Sequence, residues 1–73
     1  MDSGVRIAEA AGSEDPTVGL RAVRALRELA ERLEALQVAS ARQRGWSWQE
    51  IALLLGVSRQ AVHKKHANGR RDR

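Results

Sequence analysis

The fold is decided by residues 46–67, which read WSWQEIALLLGVSRQAVHKKHA. Ser47 followed three residues later by Glu50 forms a capping box, in which each side chain accepts a hydrogen bond from the other residue's backbone N–H. Trp46, just before the cap, can pack on Ile51 as a hydrophobic staple. A helix over residues 48–55 places four apolar side chains on one face: Trp48, Ile51, Ala52 and Leu55. The pattern therefore predicts a short helix with one buried face.

A second helix is predicted after a tight turn. Gly56 can adopt the left-handed conformation that ends many helices, and Ser58 is a favoured N-cap residue for a helix that begins at Arg59. Three residues of this helix are expected to face inward or border the inward side: Ala61, Val62 and His66. The outward face is mainly polar and basic: Arg59, Gln60, His63, Lys64 and Ala67.

This stretch closely resembles the helix-turn-helix of bacterial DNA-binding regulators, particularly region four of sigma factors and small actinobacterial regulators. The resemblance runs through residues 50–52, residues 55–59 and Val62, and it covers about a third of the chain. The sequence departs from the motif at Lys65 and His66, where an aliphatic residue often closes the second helix. A helical hairpin that serves only for packing is the alternative interpretation of the same spacing.

The resemblance implies that the helix over residues 59–67 lies in the major groove while the first helix crosses the backbone. Because glutamine can pair with adenine, and arginine or lysine with guanine, we predict four base-reading residues: Arg59, Gln60, His63 and Lys64. Helix N-termini attract phosphates, and six residues are predicted to contact them: Arg44, Ser47, Gln49, Ser58, Arg70 and Arg71. For the two serines, capping is the competing role.

A long helix is predicted over residues 16–44. Asp15 and Pro16 mark its start, because an acid suits the cap and proline suits the first helical position. Its apolar residues follow a heptad. We expect its C-terminal third to pack on the motif as a third helix and its N-terminal part to meet another chain. The predicted interface for a homodimer or another partner comprises four leucines of this helix and one of the motif: Leu26, Leu29, Leu33, Leu36 and Leu53.

Both ends of the chain are expected to lie outside the folded core. Residues 1–15 mix glycine, serine, alanine and acids with little periodicity, which predicts a flexible N-terminal arm. The helix-turn-helix is assigned to residues 46–68, and residues 69–73 form a basic tail. Charge is divided unevenly: residues 1–37 hold five Arg and seven acids, whereas residues 38–73 hold eight Lys or Arg and two acids. The basic half thus carries the motif, as expected for a surface that faces phosphates.

Composition argues against several other classes of protein. With no cysteine there can be no disulfide and no cysteine zinc site. His63 and His66 are spaced to share a metal but have no carboxylate near them in sequence, so no cofactor and no enzymatic activity are predicted. The longest apolar run, residues 51–57, is too short to span a bilayer, and the N-terminus lacks a signal-peptide core. We expect a cytoplasmic, nucleoid-associated protein with no membrane partner.

The sequence therefore predicts an all-α fold, in which a long N-terminal helix precedes a helix-turn-helix to give a three-helix DNA-binding domain. The predicted function is that of a sequence-specific, double-stranded DNA-binding transcriptional regulator that reads the major groove with residues 59–67. The alternative is a small helical adaptor that binds a polymerase subunit or another regulator, with DNA contact secondary.

Overall fold

The computed structural model describes residues 2–67, and within this range the chain forms four helices and no strand. The helices are α1 (Asp2–Ala11), α2 (Pro16–Gln43), α3 (Trp48–Leu55) and α4 (Arg59–Ala67). The predicted all-α class is confirmed. The predicted tail, with Arg70 and Arg71, lies outside the described residues. None of the described helices combines the length and the apolar character needed to cross a membrane.

The chain divides into two compact units, Met1–Leu33 and Glu34–Arg73, and α2 contributes to both. In the first unit, the sequence predicted a flexible arm over residues 1–15, and the structure instead places residues 2–11 in helix α1. Gly4, Ile7 and Ala11 are half-buried at spacings of three and four residues, which places them on one face of α1. A Cβ atom built on Gly4 would lie 3.8 Å from Leu29 Cδ2. At Gly4, α1 therefore packs beside Leu29 of α2 with room for an ordinary van der Waals contact.

The start of α2 is built as the sequence predicts. Asp15 Oδ1 accepts a hydrogen bond from the Thr17 N–H at 3.0 Å, and the Asp15 N–H donates to Ser13 Oγ at 3.1 Å. Leu26 and Leu29, which were predicted to face another chain, are half-buried within this unit. Leu29 is approached by α1 of the same chain, a helix that the sequence analysis did not foresee.

Gly45 terminates α2 in a left-handed conformation, with φ of 89°. The Gly45 N–H donates to the Arg42 carbonyl and the Trp46 N–H donates to the Ala41 carbonyl, both at 3.0 Å. These two bonds form a Schellman motif, which satisfies carbonyls that the helix end leaves without partners. The chain then turns directly into the cap of α3.

The second unit has a small apolar core built from three helices. Its buried members are Val38 of α2, Ile51 and Ala52 of α3, and Val62 of α4, with Ala41 and Trp48 packed against them. The predicted packing of the end of α2 on the helix-turn-helix is confirmed. Two residues predicted to face inward do not: Leu55 is 40% exposed and Ala61 is exposed. Because α4 directs Val62 into the core, Ala61 lies about 100° away around the helix axis. Leu55 is the last residue of α3, beyond the turn that meets the core.

Candidate nucleic-acid interface

The N-terminus of α3 is fixed by the predicted capping box. The Ser47 N–H donates to Glu50 Oε1 at 2.8 Å, and the Glu50 N–H donates to Ser47 Oγ at 3.1 Å. The Ser47 hydroxyl is thus used as a cap. Gln49, the next predicted phosphate ligand, is exposed in the first turn of α3.

The turn between α3 and α4 depends on Gly56. Its φ of 74° lies in the left-handed region, and its N–H donates to the Ala52 carbonyl at 2.9 Å. The Val57 N–H donates to the same carbonyl at 3.1 Å. Glycine adopts this conformation without the steric penalty of a Cβ atom, so the turn can bring α4 directly against α3.

Helix α4 presents one buried residue and an exposed polar face. Ser58 Oγ caps it by accepting a hydrogen bond from the Ala61 N–H at 3.0 Å, and Val62 is 2% exposed in the core. Ala67, expected to point outward, is half-buried. All four residues predicted to read bases are exposed on this helix: Arg59, Gln60, His63 and Lys64. Their roles toward DNA stay predictions.

Trp48 connects the three helices of the second unit beside this face. Its ring centroid lies 5.2 Å from that of His63, with the two planes at 86°, and the Arg42 guanidinium carbon lies 4.5 Å from the Trp48 ring centroid. Arg42 Nη1 also donates to the Trp46 carbonyl at 2.7 Å. The sequence analysis did not single out Arg42, because its contact with Trp48 depends on how α2 and α3 cross.

The last turn of α4 is held by a carboxylate of α2. Glu34 Oε2 lies 2.6 Å from His66 Nε2 and 3.2 Å from Lys65 Nζ. The hydrogen bond with His66 and the charge and hydrogen bonding of Lys65 lower the pKa of Glu34, although partial burial acts in the opposite direction. His66, which was expected to face inward or border the inward side of its helix, therefore also makes this polar contact. Sequence reasoning missed Glu34, and the available signal was its position one helical turn before Val38.

Arg44 borders an apolar groove between α2 and α3. Its Nε donates to Ser40 Oγ at 3.3 Å. The groove encloses about 330 Å³, and its lining comprises Gln37, Val38, Ser40, Ala41, Arg44, Trp46, Ile51, Leu54 and Leu55. None of these residues belongs to α4. Leu54, which lines the groove, is 76% exposed, and its neighbour Leu53 is 70% exposed, so α3 carries an apolar surface separate from the basic face of α4.

No group of three or more potential metal ligands is found within residues 2–67. His63 and His66 also have different neighbours: His63 meets Trp48, whereas His66 meets Glu34. The geometry does not bring the two imidazoles together on one shared partner. The exposed side chains of α4 are mainly polar, which suits a surface that makes polar contacts with a partner.

A model of the homeodomain-like domain family matches residues 20–70. The match includes most of α2 and all of α3 and α4, and so it extends well beyond the stretch that carries the motif in the sequence. Neither the curated proteins nor the solved structures contain a match to the chain. The family match supports a helix-turn-helix that binds DNA, while the resemblance to region four of sigma factors and to small actinobacterial regulators stays a prediction.

Proposed function

Since the chain belongs to the homeodomain-like helix-turn-helix family, we propose that it is a sequence-specific transcriptional regulator that binds double-stranded DNA with α4 in the major groove. The observation that carries this proposal is the arrangement of α4. Val62 fixes one side of the helix in the core, while the polar side chains around it remain exposed. In that role the protein would be associated with the nucleoid and would catalyse no reaction.

The base-reading set is proposed from chemistry and position. Gln60 can bond to both N6 and N7 of adenine, and Arg59 or Lys64 can bond to O6 and N7 of guanine. Arg59 and Gln60 lie in the first turn of α4, the end that approaches base edges in helix-turn-helix complexes. His63 lies one turn further along and is oriented by its contact with Trp48.

Phosphate contacts would flank this set. The hydroxyls of Ser47 and Ser58 are engaged as caps, so we propose that these two helix starts present backbone N–H groups to phosphates. Gln49 and Arg44 are exposed near the first of these starts. The excess of eight Lys or Arg over two acids in residues 38–73 supplies a long-range attraction for the same duplex.

We also propose a homodimer, whose interface includes fewer leucines of α2 than the heptad pattern predicted. Leu33 and Leu36 of α2 are 50% and 66% exposed, whereas Leu26 and Leu29 are half-buried in the first unit. A dimer would present two α4 helices to half-sites about 34 Å apart. Sedimentation of the wild type and of Leu36→Lys tests it: loss of a dimer in the variant supports the interface, and a monomeric wild type at micromolar concentration contradicts it.

A second candidate function rests on the apolar surface of α3. Leu53 and Leu54 are exposed, and Leu54 lines the groove that lies away from α4. Apolar patches rimmed by polar groups often mark protein interfaces. A helical adaptor that binds another transcription protein through this surface, and DNA weakly or not at all, would use the same fold.

Binding to DNA at several salt concentrations separates the two functions. We would measure fluorescence anisotropy of a labelled duplex of about 24 base pairs, long enough for two half-sites, and select bound sequences from a randomised duplex library. A steep fall in affinity with salt, because phosphate contacts release counterions, together with enrichment of a preferred sequence, supports the regulator. No binding at low salt contradicts it and favours the adaptor. Binding without sequence enrichment contradicts the sequence-specific part.

A further inference from the structure

The orientation of α4 depends on few contacts. The helix has nine residues, and Val62 is the one that is buried. On the same turn, His63 meets Trp48 of α3. Contacts confined to one turn still allow a helix to rock about that turn. A second point of attachment is present one helical turn away, where His66 and Lys65 meet Glu34 of α2.

We propose that Glu34 is a positioning residue for DNA recognition: it holds the last turn of α4 at a fixed rotation and thereby sets which base edges the exposed face can reach. This inference rests on the proposed function, since it concerns how the same face of α4 reads DNA. It assigns Glu34 no contact with DNA. It also gives a role to Lys65 and His66, which depart from the aliphatic residue that often closes such motifs.

Spacing along the two helices supports this role. Val38 and Val62 belong to the same core cluster. Glu34 precedes Val38 by four residues on α2, and His66 follows Val62 by four residues on α4. Residues four apart lie on the same side of a helix, so the polar contact lies one turn further along each helix than the core cluster that contains the two valines. Two contacts a turn apart restrain rotation about the first.

The polar contact is also well placed to be strong. The His66 side chain is 12% exposed and that of Glu34 is 25% exposed, so water competes less than at a surface ion pair. Hydrogen bonds that involve an ionised partner are shorter and stronger than neutral ones, in accord with the 2.6 Å separation. The lowered pKa of Glu34 indicates that the carboxylate is stabilised in its charged form.

Electrostatics alone makes a different prediction for mutants of Glu34. A carboxylate beside a DNA-binding helix repels phosphates, so removing its charge should strengthen binding to any duplex. If Glu34 positions α4, the same substitution should instead reduce discrimination between sequences. The charge effect acts equally on all duplexes and leaves discrimination unchanged, so a fall in discrimination separates the positioning role from a simple contribution to net charge.

The experiment compares wild type with Glu34→Gln, which removes the charge, and Glu34→Asp, which keeps the charge but shortens the side chain. Glu28→Gln is the matched control: it removes an equal charge from α2 at a residue whose side chain is 64% exposed and paired with Arg24. The wild type first selects a preferred duplex from a randomised library. The affinity of every protein is then measured for this selected duplex and for a scrambled duplex of equal length.

We expect the ratio of the two affinities to fall about tenfold in Glu34→Gln and Glu34→Asp, the effect of losing a charge-assisted hydrogen bond worth about 1.4 kcal/mol. Affinity for the scrambled duplex should be unchanged or higher in Glu34→Gln, and Glu28→Gln should keep the wild-type ratio. Circular dichroism identifies any variant that has lost helix. Should Glu34→Gln unfold, Glu34→Asp still tests the role of side-chain length.

A double-mutant cycle with His66→Asn completes the test. If the pair acts as one unit, the double variant should lose no more discrimination than either single variant. A wild-type ratio in both folded Glu34 variants would overturn the positioning role while leaving the proposed function intact. Failure of the wild type to bind any duplex would instead overturn the proposed function, and the present inference with it.

Discussion

The rings of Trp48 and His63 meet edge to face, with their centroids 5.2 Å apart. The guanidinium carbon of Arg42 lies 4.5 Å from the centroid of the same indole, so one side chain of α3 contacts both α2 and α4. Aromatic pairs and cation–π contacts each add about 0.5–1 kcal/mol to what burial of area provides. Trp48 is therefore expected to contribute more to the second unit than its partial burial alone indicates.

Replacing Trp48 with leucine should lower the free energy of unfolding by about 2–3 kcal/mol, because packing volume and both ring contacts are lost. Urea unfolding followed by circular dichroism measures the change. Trp46→Leu is the control, since Trp46 is 36% exposed and has no ring contact of this kind in the described part of the chain. Equal losses in the two variants would contradict the importance assigned to the Trp48 contacts.

Helix α3 carries a residue of the small core and a surface residue whose exposures differ sharply. Ile51 is 3% exposed and Leu53 is 70% exposed. Ile51→Ala should cost about 2–5 kcal/mol through lost transfer energy and the cavity left behind, whereas Leu53→Ala should change stability by about 0.5 kcal/mol or less. Both are measured by chemical unfolding. A large loss in Leu53→Ala would show that this leucine is buried in solution, for example against a second chain.

The sequence predicted the features that short-range chemistry determines. The Ser47 and Glu50 box, the Asp15 cap and the glycine turns depend on hydrogen bonds within a few residues, so they could be placed from spacing alone. Helix α1 was missed because its half-buried face carries a single large apolar residue, Ile7, among glycine and alanine, so the sequence shows little apolar periodicity there. The partners Glu34 and His66 are 32 residues apart, and pairing them requires knowing that Val38 and Val62, one turn from each, share one core.

The turn at Gly56 gives a prediction that involves backbone conformation alone. A Cβ atom at this position would meet nothing within 4 Å, but φ is 74°. Gly56→Ala should therefore cost about 1–2 kcal/mol from left-handed strain, and Gly56→Asn should cost less because asparagine tolerates this region better. Thermal unfolding measures both.

Gly4→Ala is the control for this series, because Gly4 lies in helix α1 and its added Cβ would make only an ordinary contact. Alanine favours helix over glycine by about 1 kcal/mol, so this variant should be neutral or more stable. A destabilisation at Gly4 equal to that at Gly56 would contradict the conformational explanation.

The Glu34 contact predicts a specific dependence of stability on acid. The pKa of Glu34 is lowered from its ordinary value of 4.5 in the folded protein, so the unfolded chain binds this proton more tightly. The contribution is therefore present above about pH 4.5 and is lost as the pH falls through the lower folded value. The stability difference between wild type and Glu34→Gln should shrink over that interval, as measured by urea unfolding at several pH values.

His66→Asn tests the cause of this shift, because the hydrogen bond with His66 is the largest contribution to the lowered pKa. In this variant the acid-dependent loss attributed to Glu34 should be smaller than in wild type. A difference between wild type and Glu34→Gln that stays constant from neutral pH to about pH 3 would contradict the stabilisation of the carboxylate.

The exposed face of α4 makes the final prediction, on DNA binding itself. Arg59→Ala should weaken binding to a selected duplex by about 1–3 kcal/mol and relax preference at one base position if Arg59 reads a base edge. Lys64→Ala should behave in the same way, and helix content should be unchanged in both because these residues are exposed.

A residue that contacts only phosphate would instead weaken binding to all sequences and reduce the salt slope by about one unit. Arg24→Ala, which removes an equal charge from an exposed pair on α2, controls for net charge. Wild-type affinity and preference in both α4 variants would show that this face does not read DNA.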